Sequence, residues 1–228
     1  MRADPAAPDP LAMLRRNPWF AGLSADIQAA LVDGGKLVAL AKGQWLYSEG
    51  DTSEGLVAIL SGCLRLMVAV GPERDVLFDI AGPGAIVGHA AGFGGGPRLA
   101  TVRAGAATSV LTVSGSALMA VTAAHPSLSR AMSELLYERV RYALVVAAGA
   151  LCLSPRAKVA GRLILLTDGR LDGERDFASV TQADLAEMTG LSRKSVQGHL
   201  AALRRKGIAQ PVYGGVRILD PARLRALI

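Results

Sequence analysis

The residues best suited to a chemical role lie in the segment VTQADLAEMTGLSRKSVQGHLAALRRK, residues 180–206. Thr181 is a good N-cap, and Asp184 three residues later completes a capping-box-like pair, which predicts the start of a helix. Gly190 can end that helix in the left-handed conformation, and Ser192 can cap a second one. Two short helices joined by a tight turn are typical of a helix-turn-helix, whose second helix fits the DNA major groove. Its apolar inner face is predicted to consist of Val196, Leu200 and Leu203.

Polar and basic side chains occupy the N-terminal end of this second helix. Arg193 can donate two hydrogen bonds to guanine O6 and N7, and Lys194 and Gln197 are the next candidates for base edges or nearby phosphates. Hydroxyl and amide groups near helix N-termini suit phosphate contacts. A helical hairpin packed into a core would explain the caps and apolar positions but not these polar residues. The candidates for phosphate contacts are Thr181, Gln182, Ser192 and Ser195.

The distribution of charge supports the same interpretation. Residues 1–153 contain 12 Lys or Arg and 12 Asp or Glu, whereas residues 154–228 contain 13 basic and 7 acidic residues. The whole net charge of +6 therefore belongs to the last third of the chain. A basic small domain joined to a neutral larger one is typical of a protein that binds a polyanion.

The elements that must position this motif follow from the apolar patterns. Short helices are predicted over residues 11–33, broken at Pro18 and Gly22, and short strands separated by glycine-bearing turns over residues 36–113. Regularly spaced strands of this kind favour an antiparallel sandwich or small barrel. The pair Ser154-Pro155 reads as an N-cap followed by proline at the first helical position, which marks a domain boundary. Residues 210–220 are predicted to form two strands around Gly214-Gly215, a wing after the recognition helix.

A long helix is predicted over residues 126–153, with two apolar stripes. One stripe can cover the β-domain while the other pairs with a second copy of the chain in a coiled-coil-like seam. A helix buried within one domain would also be apolar on both sides, and that alternative stays open. The stripes are Leu128, Met132, Leu135, Tyr142 and Val146, and Leu136, Val140, Ala143, Ala147 and Ala150.

The spaced motifs together resemble the Crp/Fnr family of bacterial transcription regulators over nearly the whole chain. The β-region carries a matching glycine framework, the stretch 97–104 (PRLATVRA) looks like the family's phosphate-binding cassette, and the helix-turn-helix matches at Thr181, Gly190, Ser192, Arg193 and Val196. The framework consists of Gly43, Glu49-Gly50-Asp51, Ile59 with Gly62, Gly82-Pro83-Gly84 and Gly88.

The resemblance implies an α+β fold in three parts. These are an N-terminal antiparallel β jelly roll of the cyclic-nucleotide-binding type over residues 11–125, a dimerisation helix over 126–153, and a winged helix-turn-helix over 154–228. It also implies a homodimer on double-stranded DNA at a palindromic operator, with RNA polymerase as a further partner if the protein activates transcription.

The expected effector pocket departs from the members of the family that bind cyclic AMP. Those members have a glutamate after the glycine at the Gly88 position, where this chain has His89, and a hydroxyl residue after the arginine, where it has Leu99 beside Arg98. Loss of an acceptor and a donor would leave buried nucleotide groups unpaired at about 1–3 kcal/mol each. The sequence therefore argues against cyclic AMP and for another effector or none. In the recognition helix, Lys194 and Gly198 replace a glutamate and an arginine that read bases in the best-known member, so a different half-site is expected.

Other cofactors are constrained by residue counts. An iron–sulfur sensor needs four cysteine ligands, and the chain has only Cys63 and Cys152, which excludes that class. Haem remains an alternative, with His89, His125 or either cysteine as the axial ligand.

Enzymatic activity is not expected, because no P-loop, GxSxG or HExxH motif is present. The N-terminus lacks the apolar run of a signal peptide, and the longest apolar run, residues 143–153, is too short to cross a bilayer. A cytoplasmic protein is expected. The remaining alternative is a ligand-binding regulatory module with no role on DNA.

Overall fold

The fold is taken from a computed structural model, which describes residues 9–71, 74–168 and 176–228. Three short helices come first: α1 (Pro10–Leu14), α2 (Pro18–Ala21) and α3 (Ala25–Asp33). The predicted breaks are confirmed, since α2 begins at Pro18 and ends before Gly22. Ser24 caps α3 by accepting a hydrogen bond from the Ile27 backbone N–H. The predicted leader comprises residues 1–10, of which residues 1–8 lie outside the described part of the chain.

The β-domain consists of two four-stranded antiparallel sheets, as the pattern of short strands predicts. One sheet has the order β1-β8-β3-β6 and the other the order β2-β7-β4-β5. Apolar strand residues between the sheets form much of the domain core. The strands are β1 (Gly35–Leu40), β2 (Trp45–Tyr47), β3 (Gly55–Ser61), β4 (Leu64–Ala69), β5 (Asp75–Ala81), β6 (Ile86–Val87), β7 (Thr101–Ala104) and β8 (Thr108–Ser114); helix α4 (His89–Gly94) follows β6, and α5 (Gly115–Ala124) follows β8.

The long helix α6 (Ser127–Cys152) packs one face on this domain. The first predicted stripe is confirmed, because Leu128 and Met132 are fully buried and the rest of the stripe is half-buried. Four residues of the second stripe are exposed, namely Val140, Ala143, Ala147 and Ala150, and only Leu136 is half-buried. The large exposed apolar residues of α6 are Tyr137, Val140, Leu144, Val145 and Leu151. All of these except Val145, together with the exposed Ala147, follow alternating steps of three and four, the spacing of a coiled-coil seam. We call Tyr137, Val140, Leu144, Ala147 and Leu151 the α6 seam.

The C-terminal part begins with α7 (Pro155–Asp168), where Ser154 accepts a hydrogen bond from the backbone of Ala157. Helices α8 (Gln182–Thr189) and α9 (Arg193–Arg205) form the predicted helix-turn-helix. The predicted wing is confirmed as β10 (Ala209–Val212) and β11 (Gly215–Ile218), and β9 (Phe177–Ala178) adds a third strand to it. A last helix, α10 (Pro221–Arg225), was not predicted. Most of the polar connector after α7, residues 169–175, lies outside the described part of the chain.

Three buried clusters hold these elements together. One lies between the strands of the β-domain, and a second joins the N-terminal helices, the strands and the start of α6. The third fills the C-terminal part. The third cluster also includes Met67 of β4 and Leu77 of β5, so the sheet and the helix-turn-helix share a core. Within the described residues, no helix is both long and apolar enough to span a membrane.

Candidate DNA-binding surface and effector pocket

The first helix of the helix-turn-helix is closed at both ends by the predicted residues. The backbone N–H of Asp184 donates to Thr181 Oγ1 at 3.1 Å, and the Thr181 N–H donates to Asp184 Oδ2 at 3.0 Å, which completes the capping box. Gly190 has φ of +67° and no atom within 4 Å of an added Cβ. Its backbone conformation alone therefore favours glycine there. The Leu191 N–H then donates to the Ala186 carbonyl at 3.0 Å and turns the chain into α9.

Helix α9 divides into a buried face and a solvated N-terminal end. Its predicted apolar residues, Val196, Leu200 and Leu203, are at most 1% exposed. By contrast, Arg193, Lys194 and Gln197 are exposed, and no described residue pairs with them in an ion pair or side-chain hydrogen bond. The guanidinium, ammonium and amide groups are thus available to an external partner. Donors of this kind at the start of a recognition helix suit base edges in the major groove.

The predicted phosphate contacts lie around the starts of the two helices. Thr181, Gln182 and Ser192 are exposed, and Ser195 is half-buried. Ser192 Oγ accepts a hydrogen bond from the Ser195 N–H at 3.1 Å, so this oxygen already serves as a helix cap. The hydroxyl hydrogens of Thr181 and Ser192 remain available as donors. One exposed residue was missed by sequence reasoning: Tyr213, at the tip of the wing, is fully exposed.

The helix-turn-helix is docked on the sheet through α8. Arg65 Nη2 of β4 donates to Asp184 Oδ1 at 2.6 Å, and the Leu77 N–H of β5 donates to Glu187 Oε1 at 2.8 Å. Burial raises the pKa of Asp184, but hydrogen bonds from Arg65 and Thr181 outweigh it and bring the pKa below its ordinary value. Asp184 therefore serves as a capping residue of α8 and as the acceptor of a contact between the domains.

A second polar connection links the β-domain, α6, α7 and α8. Asp79 of β5 accepts hydrogen bonds from Arg139 Nη1 at 3.3 Å and from the Tyr142 hydroxyl at 2.9 Å. The Tyr142 oxygen in turn accepts from Arg162 Nη1 at 3.4 Å, and Arg162 Nε donates to the Met188 carbonyl at 3.4 Å. Burial and the Asp79 carboxylate raise the pKa of Tyr142, which keeps its hydroxyl a donor. These contacts fix the orientation of α6 and α7 relative to the sheet.

The effector-pocket residue Arg98 is buried, at 6% exposure, and is held by protein atoms. Its Nη1 donates to the Gly88 carbonyl at 2.6 Å and to the Gly55 carbonyl at 3.3 Å, and its Nε donates to Ser53 Oγ at 3.3 Å. The guanidinium carbon lies 4.2 Å from the ring centroid of Tyr47. An anion can bind Arg98 only by competing with these partners or by sharing the guanidinium with them.

Gly88 is required for this arrangement in two ways. Its φ is +82°, and a Cβ placed there would lie 2.5 Å from Arg98 Nη1. A side chain at this position would therefore strain the backbone and displace the guanidinium. Sequence reasoning placed Gly88 and Arg98 in one pocket without finding Tyr47, Ser53 or Gly55, since nothing in their spacing marks them as partners of Arg98.

His89 is the first residue of α4 and is 3% exposed. Neither ring nitrogen has a hydrogen-bond partner among the residues that the structure describes. Burial, assisted by the positive charge of Arg139, lowers the pKa of His89 to about 4, so the imidazole is neutral at pH 7. It therefore lacks the negative charge of the carboxylate that the cyclic AMP-binding members have at this position.

Leu99 does not join the other predicted pocket residues, because its side chain is 69% exposed. A cavity of about 270 Å³ reaches Arg98 and is also lined by Tyr47, Ser53 and Gly55. Neither Leu99 nor His89 lines it. Gly88 and Arg98 are thus in direct contact, whereas His89 is buried outside this cavity and Leu99 is exposed.

Comparison with known proteins assigns both halves of the chain. A model of the cyclic nucleotide-binding domain matches residues 37–125, and a model of the Crp-like helix-turn-helix domain matches residues 157–227. The match to a helix-turn-helix model removes the alternative of a regulatory module without a role on DNA.

Two relatives match this chain over most of their length. The CRP-like cAMP-activated global transcriptional regulator of Mycobacterium tuberculosis is 26% identical over 216 residues, which cover 93% of this chain and 96% of the relative. The nitrogen fixation regulation protein FixK of Bradyrhizobium diazoefficiens is 27% identical over 199 residues, covering 85% of this chain and 82% of the relative.

Solved structures have the same architecture. FixK2 from Bradyrhizobium japonicum superposes with a TM-score of 0.75 at 18% identity, over 85% of this chain and 96% of that one. The catabolite activator protein of Thermus thermophilus gives a TM-score of 0.51 at 25% identity, over 92% and 97% of the two chains. Both domain models, the relatives and the fold agree, and the chain belongs to the Crp/Fnr family of transcription regulators, which are not enzymes.

Proposed function

We propose that this regulator is a homodimer that binds a palindromic operator, with an effector other than cyclic AMP or none. The main support for operator binding is the N-terminal end of α9. Arg193, Lys194 and Gln197 are exposed there and have no partner among the described residues, while the opposite face of the helix is apolar and buried. Arg193 is assigned to a guanine, and Lys194 and Gln197 to neighbouring base edges or phosphates. Thr181, Gln182, Ser192 and Ser195 position the motif on the phosphates.

The α6 seam supports the dimer. Its large residues are exposed to between 51% and 85%, an unusual amount of apolar surface for one helix of a monomer. Pairing two copies of α6 along this seam buries those side chains and relates two recognition helices by a two-fold axis. Such a dimer reads two half-sites about 34–36 Å apart, one turn of the DNA helix.

The pocket supports an effector unlike cyclic AMP. The relative from Mycobacterium tuberculosis is described as cAMP-activated, but here Arg98 donates to two backbone carbonyls, His89 is a neutral imidazole, and Leu99 offers no hydroxyl. A cyclic nucleotide would meet an occupied arginine and, in place of the carboxylate acceptor, a neutral imidazole that is buried and does not line the cavity. A small anion would have to share the Arg98 guanidinium with these carbonyls, in a cavity that is also lined by Lys36 and Glu54. A different small molecule and an effector-free protein are therefore the two alternatives.

Haem is a second candidate effector because the buried His89 has two partnerless ring nitrogens. Against it, His89 is 3% exposed and lines neither described cavity. A Soret band in protein reconstituted with haem, lost in His89→Leu, would establish this reading. Iron–sulfur chemistry is not proposed, since two cysteines cannot supply four ligands.

Selection of genomic DNA fragments by the purified protein, at fixed near-physiological salt and without added small molecules, tests the proposal. The expected result is enrichment of a palindrome with half-site centres about 10–10.5 base pairs apart. Affinity for it should fall steeply with salt, as phosphate contacts require. Binding of equal strength to all fragments, before and after adding candidate effectors, would contradict a sequence-specific regulator.

Two further experiments test the effector and the direction of regulation. Repeating the selection with cyclic AMP should leave the enriched sequence and its affinity unchanged. If the protein activates transcription, RNA polymerase is a further partner, and run-off transcription from the enriched site measures the direction of regulation.

A further inference from the structure

A second cavity, of about 420 Å³, lies away from Arg98, where α6, α7 and α8 meet beside the link between the two domains. Its walls are mainly aliphatic and include Val145, Leu153, Leu165 and Met188. No aromatic side chain and no Asp or Glu side chain is among the residues that line it. A volume of this size is within the range of small-molecule sites.

Two basic residues also line this cavity, and they differ in their partners. Arg162 is 8% exposed and already donates to the Tyr142 hydroxyl and the Met188 carbonyl. Lys158 is half-buried and forms no ion pair or side-chain hydrogen bond within the described residues. One unpartnered ammonium on an aliphatic wall complements a ligand with a single negative charge and an apolar body.

Self-association along the α6 seam leaves this cavity accessible. Gly149 lines the cavity and Leu144 belongs to the seam, and the two are five positions apart in the helix. Five residues turn an α-helix by about 500°, so the two positions lie roughly 140° apart around its axis. Ala148, which also lines the cavity, lies about 40° from Leu144, so a partner helix on the seam reaches this edge of the cavity and leaves the side of Gly149 open.

We propose that this cavity binds a medium-chain aliphatic carboxylate, with the carboxylate on Lys158 and the chain among the aliphatic walls. A chain of roughly eight to twelve carbon atoms suits a site of this size. The aliphatic lining favours an alkyl chain over an aromatic ring, and the single unpartnered cation favours a monoanion over a phosphate. Because the cavity lies against α6, α7 and α8, the bound ligand contacts both the dimerisation helix and the helix-turn-helix.

Titration calorimetry of the full chain with decanoate, below the concentration at which decanoate self-associates, tests this site. Saturable binding of one decanoate per chain is expected, with decanol binding more weakly because it carries no charge. Lys158→Met should weaken decanoate binding about tenfold, the effect of losing one charge-assisted hydrogen bond, and Lys158→Arg should restore most of it. Lys42→Met, at an exposed lysine in a turn of the β-domain, is the matched control and should bind as the wild type.

A filling variant tests the cavity itself. A Cβ at Gly161 would meet only the methyl groups of Leu153 and Ile228, at 3.6 Å, so a Cβ fits there and a longer side chain would extend from a residue that lines the cavity. Gly161→Leu should abolish decanoate binding while thermal unfolding shows a folded protein. Arg98→Lys should leave decanoate binding unchanged, because Arg98 lies in the other pocket.

Three results would overturn the proposal. They are the absence of saturable binding, equal binding by wild type and Gly161→Leu, and equal binding by wild type and Lys158→Met. Co-sedimentation with phosphatidylglycerol vesicles that persists in Gly161→Leu, without binding of free decanoate, would point instead to a lipid surface. None of these readouts involves DNA, so failure of this site is distinguishable from failure of the proposed operator binding.

Discussion

Arg65 and Asp184 are 119 positions apart in sequence and meet at 2.6 Å between Nη2 and Oδ1. Their side chains are 21% and 10% exposed, so this ion pair is largely shielded from water. Because the Asp184 carboxylate also caps α8, the orientation of the first helix of the DNA-binding motif is tied to strand β4 of the effector domain.

Arg65→Met should lower the free energy of unfolding by about 1–3 kcal/mol, because it leaves a buried carboxylate without its charged donor. Hydrogen exchange should show faster opening at the start of α8 than elsewhere in the C-terminal part. Arg130→Met is the control, since the Arg130–Glu134 pair is 88% and 62% exposed and exposed pairs of this kind contribute at most about 1 kcal/mol. Equal losses in the two variants would mean that the Arg65 contact adds nothing to the docking.

Arg193→Ala should weaken binding to the selected operator by about 1–3 kcal/mol and relax the preference at one base pair of each half-site. Competition binding against a set of singly substituted operators measures both effects. Arg204→Ala, in the exposed last turn of α9, should keep the base preference and reduce affinity evenly, if at all. An Arg193→Ala protein with wild-type base preference would show that the assignment of Arg193 is wrong.

The pKa of His89 predicts a loss of stability in acid. The folded pKa is about 4 against an ordinary value of 6.5, so between these values the unfolded chain binds a proton that the folded chain does not. Stability should therefore fall as pH drops through this window, by at most about 1.4 kcal/mol per pH unit from this group.

His89→Leu removes the titrating group and two buried, unpaired polar atoms, and it should flatten that slope and raise stability at the acidic end. Urea unfolding at several pH values in the window measures the slope. The control His125→Gln keeps His89 and should keep its contribution. A slope that persists in His89→Leu would assign the acid sensitivity to other groups.

Leu144→Glu should convert the protein to a monomer, because it places a charge in the middle of the α6 seam, where the wild-type leucine is 65% exposed. Sedimentation velocity measures the molecular mass, and operator binding should weaken together with it, since one recognition helix reads only a half-site. Met119→Glu introduces the same charge at a residue of α5 that is 67% exposed, and it should remain a dimer. A dimeric Leu144→Glu protein would contradict the assigned seam.

The sequence by itself determined the elements whose signals are local. Ser24, the Thr181–Asp184 pair and Gly190 act on backbone groups within a few residues, so the helix ends they specify were read directly and are confirmed. The short strands between glycine-bearing turns, the wing and the basic balance of the last third likewise depend on neighbouring residues or on simple counts. The resemblance of these motifs to the Crp/Fnr family extended the prediction from single elements to the domain order of the whole chain.

Only the tertiary structure decided which face of α6 is exposed. Leu135, Leu136 and Tyr137 are consecutive apolar residues, so the sequence allowed two seams one position apart. The packing of α6 on the β-domain half-buries Leu136 and exposes Tyr137 and Leu144. The same holds for the partners of Arg98, the Arg65–Asp184 contact and the cavity at Lys158. These features join residues from strands and helices far apart in the chain, and their distances are set by how the whole core packs rather than by any local preference.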